Sequence, residues 1–581
     1  MRSPILLLKI IRFLFSVACA NLSFAGDWPS WRGPNQTGAS TETGLISNWS
    51  LDGENLIWKA DFIGRSTPIV MNGRVYVIGR VGADVTQQEV VACYDAEFGK
   101  KIWEHRFNVF LTTVPFTRVG WTSLAGDAET GNVYASGVGG MFICYNRDGK
   151  MLWQRSLTEE FGRFSGYGGR TMSPVVDENL VIISFLNTGW GAHSAMGHRY
   201  VACDKRTGEI VWISEPGARP LDTNYSTPVV AVINGQRLLI GGYADGSIQA
   251  MKVRTGEKVW EFKLSKGAIN TSVVVAGDRV FATHSEENLD NTAMGRVVCI
   301  DGNGVGDLTK THEVWRVDNL EVGYASPALH NGMLYLVDNS ANLICLESAT
   351  GKFLWKHNLG TIGKGSPVWA DGKLYATEVN GLFHILQPST NECKALDTEK
   401  LTLPSGRYAE IFGSPAIAYQ RIYFTAESGL YCLGNKNNKF TLTPTPTPTP
   451  TLETSPDKNA QATHLQIVPA EVLASPGQKI KFRARVFDDK GRFLRKVKAE
   501  WSPHEIVGTF SKNGELTIDK SKGSQAGTIK AKFKHLVGTA RVRVIAEVPW
   551  EENFESTEEG KVPSYFVGHG NKFNVAVKDG N

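Results

Sequence analysis

The sequence predicts an all-β chain: an eight-bladed β-propeller, then a Thr/Pro-rich linker, then an immunoglobulin-like β-sandwich. Three observations carry this expectation. A phrase recurs at intervals of roughly 40–56 residues up to about residue 435; Thr and Pro alternate near residue 445; and strand-like alternation follows. The recurring phrase runs Ser/Thr, Pro, Val, a turn, a short apolar strand, Cys-x-Asp, Thr-Gly-Lys and Trp. Its clearest copy opens at Ser66-Thr67-Pro68-Ile69-Val70, turns at Asn72-Gly73 and passes Ala92-Cys93-Tyr94-Asp95 to Gly99 and Trp103. Four short strands per unit at this period make a propeller blade, and one blade cannot bury both faces, so the units must stack around an axis.

The chain opens with an export signal over residues 1–25. Arg2, Lys9 and Arg12 precede an apolar stretch, and Ser23-Phe24-Ala25 offers a cleavage site. The stretch is too short and interrupted for a membrane span. Ser16-Val17-Ala18-Cys19 loosely resembles a lipoprotein box, so membrane association is expected only if Cys19 is lipidated.

Residues 26–440 form the predicted propeller. Its openings recur at Ser66, Thr122, Met172, Ser226, Thr271, Ala325, Gly365 and Gly413, and its closing tryptophans at Trp103, Trp153, Trp212, Trp260, Trp315 and Trp355. The seventh unit puts Cys393-Lys394-Ala395-Leu396 where that Trp belongs. The eighth ends without one, yet Leu56-Ile57-Trp58-Lys59 lies unattached upstream. Pairing the Trp58 strand into the last blade joins the chain ends and leaves no open edge between blades. Each closing Trp is expected to pack between blades, its ring N–H bonding to the next blade's backbone.

Cys93, Cys144, Cys203, Cys299, Cys345 and Cys432 recur at one strand position. Equivalent points on different blades lie beyond disulfide reach, so these cysteines are expected to be buried and free.

The phrase Ala202-Cys203-Asp204-Lys205-Arg206-Thr207-Gly208-Glu209-Ile210-Val211-Trp212 resembles the repeat signature of pyrroloquinoline quinone (PQQ)-type propellers. The opening Asp27-Trp28-Pro29-Ser30-Trp31-Arg32-Gly33-Pro34 looks like the mature start of secreted PQQ-like proteins. The resemblance covers about residues 27–435. That family includes quinoprotein alcohol dehydrogenases and non-catalytic members such as the propeller lipoprotein of the outer-membrane assembly machinery. Its enzymes add a vicinal disulfide against the cofactor and a calcium site of Glu, Asn and Asp. This sequence has no adjacent cysteines, and neither the calcium triad nor a catalytic Asp can be placed on it. No cofactor, catalytic residue or metal ligand is therefore assigned; PQQ with calcium belongs to the alternative reading.

Residues 441–461 are the linker, where alternating Thr and Pro over 443–451 read as a semi-rigid spacer. Residues 462–547 alternate apolar and basic, as in Ile480-Lys481-Phe482-Arg483-Ala484-Arg485, which reads as half-buried strands of a sandwich with Trp501 available to its core. Residues 462–546 hold 17 Lys and Arg against 7 Asp and Glu, in a chain whose net charge is only +4. Such a surface suits an anionic partner. The linker is expected to let this module and the propeller move independently. Residues 548–581 resemble the start of an incomplete carbohydrate-binding or laminin-G-like jelly roll.

Chemistry is expected where the innermost strands begin. Three residues before each Pro, or its equivalent, stand Arg65, Trp121, Thr171, Tyr225, Asn270, Tyr324, Lys364 and Phe412, with Arg170 adjacent. Cations and aromatic rings together suit a planar or anionic ligand. Longer excursions carry Trp190, His193 and His198, and His284, Glu286, Glu287 and Asp290, without a recognised metal spacing. No nucleophile elbow, P-loop or His-Glu-x-x-His appears, and nothing beyond the basic module suggests nucleic acid. The expectation is an exported, non-catalytic binding or scaffold propeller for an envelope protein or polysaccharide. The alternatives are a PQQ-dependent dehydrogenase and an accessory module of a polysaccharide-directed protein.

Overall fold

The computed structural model describes residues 26–109, 114–162, 171–187, 197–442, 453–545, 551–563 and 574–577. The described chain is almost entirely β, with one short α-helix at Leu157–Phe161. Among the described residues no helix is long and apolar enough to cross a membrane.

The first repeat shows how the sequence builds its sheet. Ile69–Met71, Arg74–Val81, Gln88–Asp95 and Lys101–Asn108 pair antiparallel in that order. Asn72 and Gly73 both take positive φ, as a two-residue hairpin demands. Strands two and three are buried on both faces, and only the outermost meets water. The same plan recurs in seven more sheets among the described residues, an arrangement consistent with a propeller. In one of them Leu56–Ala60 pairs with Gly429–Gly434, Trp58 opposite Cys432, so strands from both ends of this region share a sheet.

The docking phrase acts between sheets. In the first repeat a bulge between Cys93 and Tyr94 interrupts the register beside Trp103, and bulges recur at the equivalent points, as at Cys144/Tyr145 and Cys345/Leu346. The ring N–H of Trp58 donates to the Ala96 carbonyl (3.2 Å), Trp103 to Arg147 (3.0 Å), Trp153 to Lys205 (3.2 Å), Trp212 to Val253 (2.9 Å), Trp315 to Ser348 (3.0 Å) and Trp355 to Ser389 (2.8 Å). Turn glycines cover these rings: a Cβ on Gly99, Gly149, Gly208, Gly256 or Gly351 would stand 2.5–2.8 Å from the indole of the preceding sheet. Trp260 differs. The following turn carries an insertion whose Gly306–Asp307 pairs parallel with Trp260 and Glu261, and the Trp260 ring N–H is buried without a partner. Cys393–Lys400 takes the place of the missing Trp strand in the seventh sheet.

A ladder of hydroxyls joins the sheets near the axis. The Thr67 N–H donates to Ser123 Oγ (3.0 Å), Ser123 to Ser173 (3.0 Å) and Ser173 to Thr227 (3.1 Å); Ser272 donates to Ser326 (2.9 Å), Ser326 to Ser366 (2.8 Å) and Ser366 to Ser414 (2.9 Å). The Ser414 N–H then returns to Thr67 Oγ1 (2.9 Å). Between Thr227 and Ser272 the link is made one step earlier, where Ser226 Oγ donates to the Thr271 carbonyl (2.8 Å). Apart from that link, every rung is the residue directly before the Pro or its equivalent.

Seven cysteines among the described residues are free; the six at the repeated position are buried. Burial pushes the thiols of Cys93, Cys144, Cys203 and Cys345 up to about 12, so they are packing groups and not nucleophiles.

His464–Val544 forms a second all-β body with its own core of Leu465, Ile467, Phe482, Val486, Leu516, Ile529 and Val542. In Gln525–Phe533, Ile529 and Ala531 are buried while Lys530 and Lys532 face water. The expected independence of this body is corrected. The Ala470 N–H donates to the Ile210 carbonyl (2.7 Å), Gln466 to the Arg254 carbonyl (2.9 Å), and Val468 packs with Val175, Leu180 and Trp212. The Thr/Pro run itself lies outside the described residues.

Candidate functional site

The ends of the innermost strands converge on a cup of about 100 Å³, and eight of the nine side chains expected at the mouth line it. The ninth, Arg170, lies outside the described residues. Four half-buried rings line it: Trp121 meets Tyr225 edge-on (centroids 5.8 Å) and Phe412 at a tilt (6.3 Å), while Tyr324 faces Lys364, whose ammonium lies 2.8 Å from the ring centroid. Aromatic faces held by backbone at the start of strands are rigid, and that is what stacking against a flat ligand needs.

The cations do not act alike. Arg65 forms an ion pair with Glu410 and lies 4.2 Å over Phe412. Burial lowers its pKa while the Glu410 charge raises it. Its charge is matched within the protein by Glu410. Thr171 spends its hydroxyl on the Ser184 carbonyl (2.9 Å), and Asn270 accepts the Tyr225 N–H (3.3 Å). These two residues hold the rim together.

Sequence reasoning missed three contributions. Trp31, from the N-terminal segment, lines the cup, as do the hydroxyl rungs Thr67, Ser123, Ser173, Thr227 and Ser414. The rungs had a signal, a Ser or Thr before every Pro or its equivalent. Trp31 had none, because it lies outside the repeats. Glu89 was missed as well. It is fully buried, its carboxylate accepting the N–H of Gly120 (3.1 Å) and of Val138 (3.1 and 3.2 Å), and so it anchors the segment that carries Trp121. Burial pushes its pKa up to about 7 against the pull of those N–H groups.

The histidine-bearing excursions do not form a site. His198 is buried, 4.1 Å from the Tyr243 ring, with its pKa lowered to about 3 by burial. His284 is buried too, and Asp290 and Glu287 pair with Arg296 and Lys266. Trp190 and His193 lie outside the described residues. Among the described residues no group of three or more His, Cys, Asp or Glu could hold a metal ion. Among the described residues the lining of the cup contains no carboxylate. A hard cation such as calcium takes oxygen ligands with carboxylates prominent among them, so the described lining does not fit the calcium-bound quinone of the related enzymes.

Comparison with known proteins agrees with this architecture. The protein from Burkholderia pseudomallei named outer membrane protein assembly factor BamB is 24% identical over 330 residues, covering 55% of this chain and 72% of that protein. Among solved structures, a europium-containing methanol dehydrogenase superposes with a TM-score of 0.51 at 14% identity, covering 70% of this chain and 90% of that one. The quinohemoprotein alcohol dehydrogenase from Comamonas testosteroni gives 0.50 at 14% identity, covering 72% and 82%. At this identity the structures speak for the fold alone. The family model described as outer membrane protein assembly factor BamB matches residues 87–357 and 293–403, more than half of the chain, and the chain belongs to that family.

Proposed function

We propose that this chain is an exported, non-catalytic β-propeller that works as a binding scaffold in the cell envelope, with the cup as its ligand site. The ring is read as eight blades closed by the Trp58 strand, and residues 462–547 as an immunoglobulin-like sandwich carried on its edge. The observation that carries the functional reading is the lining of the cup: half-buried aromatic faces, hydroxyls and the cations Arg65 and Lys364, with no carboxylate among the described residues. That lining suits recognition better than acid–base chemistry, which needs a positioned proton carrier. The family points to proteins of outer-membrane assembly as the class of partner. An acidic polysaccharide is the second candidate, favoured by the basic face of the C-terminal body.

The test is calorimetry of the full chain against envelope peptides, acidic oligosaccharides and PQQ. Exposed charge is screened over about 8 Å at physiological salt, whereas stacking on rings survives it. Binding at the cup is therefore expected to weaken with salt without vanishing. Trp121→Ala is expected to cost roughly 1 kcal/mol or more, a larger loss than Lys364→Ala. Equal affinities for wild type and Trp121→Ala would remove the cup as the site. PQQ binding with dye-linked alcohol oxidation would favour the dehydrogenase reading instead.

A further inference from the structure

A groove of about 790 Å³ runs between the propeller and the C-terminal body, apart from the cup and independent of its reading. Its roof is the sheet in which His464–Val468, Arg483–Phe487 and Phe493–Val497 pair antiparallel in that order. One face of that sheet is core, through Leu465, Ile467, Ala484 and Val486. Successive residues of a strand alternate between faces, so Gln466, Arg485 and Lys496, which stand opposite one another in register, share the other face. That face looks at the propeller: Gln466 donates to the Arg254 carbonyl (2.9 Å), His464 Nδ1 lies 3.0 Å from Glu257, and Val468 packs with Trp212. The first strand is thus docked. Under the second and third, the propeller turn at Glu178-Asn179 and residues 453–456 complete the groove.

Arg485 and Lys496 both line it. Like charges directly opposite on a strand pair repel, and the carboxylates of the lining are spent elsewhere. Glu129 pairs with Lys205 and Arg206, and Glu178 and Glu453 pair with Arg254. Arg485 feels two more carboxylates beyond the lining. Of these, Glu209 is paired with Arg483, and Asp204 accepts the backbone N–H of Arg206 (2.9 Å) and Thr207 (3.1 Å). Arg485 donates from Nη2 to Gln466, and its Nε is buried without a partner. Among the described residues neither Arg485 nor Lys496 forms an ion pair. Burial lowers the Arg485 pKa to about 10, which keeps it charged at neutral pH. Beside the two cations lies an apolar wall: Phe493 is 45% exposed and meets Phe487 edge-on (5.7 Å).

We propose that this groove binds a phosphate ester, its phosphate between Arg485 and Lys496 and its organic body against Phe493. A phosphate dianion matches both charges, and the guanidinium fork and the ammonium both suit its oxygens. A monoanion would leave one charge unmatched.

The test is calorimetry of the full chain at about pH 7.5, above the second phosphate pKa of about 6, at constant ionic strength. Phenyl phosphate is expected to bind saturably, inorganic phosphate more weakly for want of the ring, and phenyl sulfate, with one charge fewer, more weakly too. Lys496→Gln should weaken phenyl phosphate about tenfold, the size of one charge-assisted hydrogen bond. Lys496 is exposed and makes no contact with the propeller's docked edge, so this variant tests the groove even if Arg485→Gln, which should weaken binding as well, loosens the body. Lys532→Gln, on another sheet, and Lys364→Gln, at the cup, should bind as wild type. Vesicles containing phosphatidic acid separate the sources of the phosphate. Sedimentation with them, lost in Lys496→Gln, would identify a lipid headgroup, and phenyl phosphate binding without sedimentation a free ester. No saturable binding of phenyl phosphate, an affinity unchanged in Lys496→Gln, or phenyl sulfate binding as tightly as phenyl phosphate would overturn the assignment.

Discussion

Glu89 concentrates the electrostatics of the site in one side chain. It is fully buried and held by two backbone N–H groups, with no ion pair among the described residues. Its charge reaches Tyr145, and Arg80 stands opposite on the paired strand, where it also donates to the Thr117 carbonyl. Its carboxyl titrates near 7 in the fold against about 4.5 when exposed. Between those values the folded chain holds a proton that the unfolded chain has released. This group therefore stabilises the fold less as pH rises from 4.5 to 7, by roughly 3 kcal/mol in total. His198, His284 and His384 act in the opposite sense. Burial lowers them to about 3, 4 and 4, so their contribution is lost as pH falls below 6.5. The informative measurement is thus the difference between wild type and Glu89→Gln in denaturant midpoint across pH 4.5 to 8. That difference should drift by about the stated amount and flatten above 7. A constant difference would show that Glu89 ionises normally. None of this was legible in the sequence. A glutamate near the end of an apolar strand reads as solvent-facing, and the groups that hold it, the Gly120 and Val138 N–H, come from the next repeat.

At the scale of elements, the docking phrase was legible because each of its residues meets the same demand in sheet after sheet. The Trp needs a carbonyl for its ring N–H and a residue without a side chain above its face. In most copies the following turn supplies both, as Thr-Gly at Gly208, Gly256 and Gly351, Asp-Gly at Gly149 and Phe-Gly at Gly99, which is why Gly and Trp recur together. Gly351 makes the argument testable. It has φ +76°, and a Cβ there would lie 2.6 Å from Trp315 Cε3. Gly372 has φ +71° and open space around its missing Cβ. Alanine at either position pays about 1–2 kcal/mol for the left-handed backbone, while only Gly351→Ala adds overpacking of about 1–3 kcal/mol. Gly351→Ala should therefore lower the denaturant midpoint distinctly more than Gly372→Ala, and equal effects would mean that the turn glycines serve backbone geometry alone. The mouth side chains were legible for the same reason as the docking phrase, a fixed offset from the strand opening. Trp31 was not, since a segment outside the repeats carries no period of its own.

At the scale of the whole molecule, what the sequence concealed is that the second body has a seat. The residue before each docking Trp is apolar throughout the ring, so nothing in the repeat marks one copy as special. Exposure does: Ile102 and Leu152 are each 43% exposed, whereas their counterpart Val211 is 3% exposed. The covering group is the edge of the C-terminal body, with Val468 in the cluster that holds Val211 and Trp212, and Ala470 bonded to Ile210. The ion pair Arg483–Glu209 at the rim is partly exposed and adds little. Apolar burial is the larger contribution, on the order of 1.5–3 kcal/mol for one fully buried valine. A Thr/Pro spacer does not oppose such docking, because a tether only raises the local concentration of the two surfaces. Small-angle scattering of the wild type should fit one compact particle. Val468→Asp places a carboxylate in that cluster and should enlarge the radius of gyration, while circular dichroism shows both bodies still folded. Val507→Asp, on a residue of the same body that is already 45% exposed, should leave the particle compact. A wild type that scatters as two independent bodies, or a Val468→Asp chain as compact as wild type, would mean that this contact does not hold the molecule together.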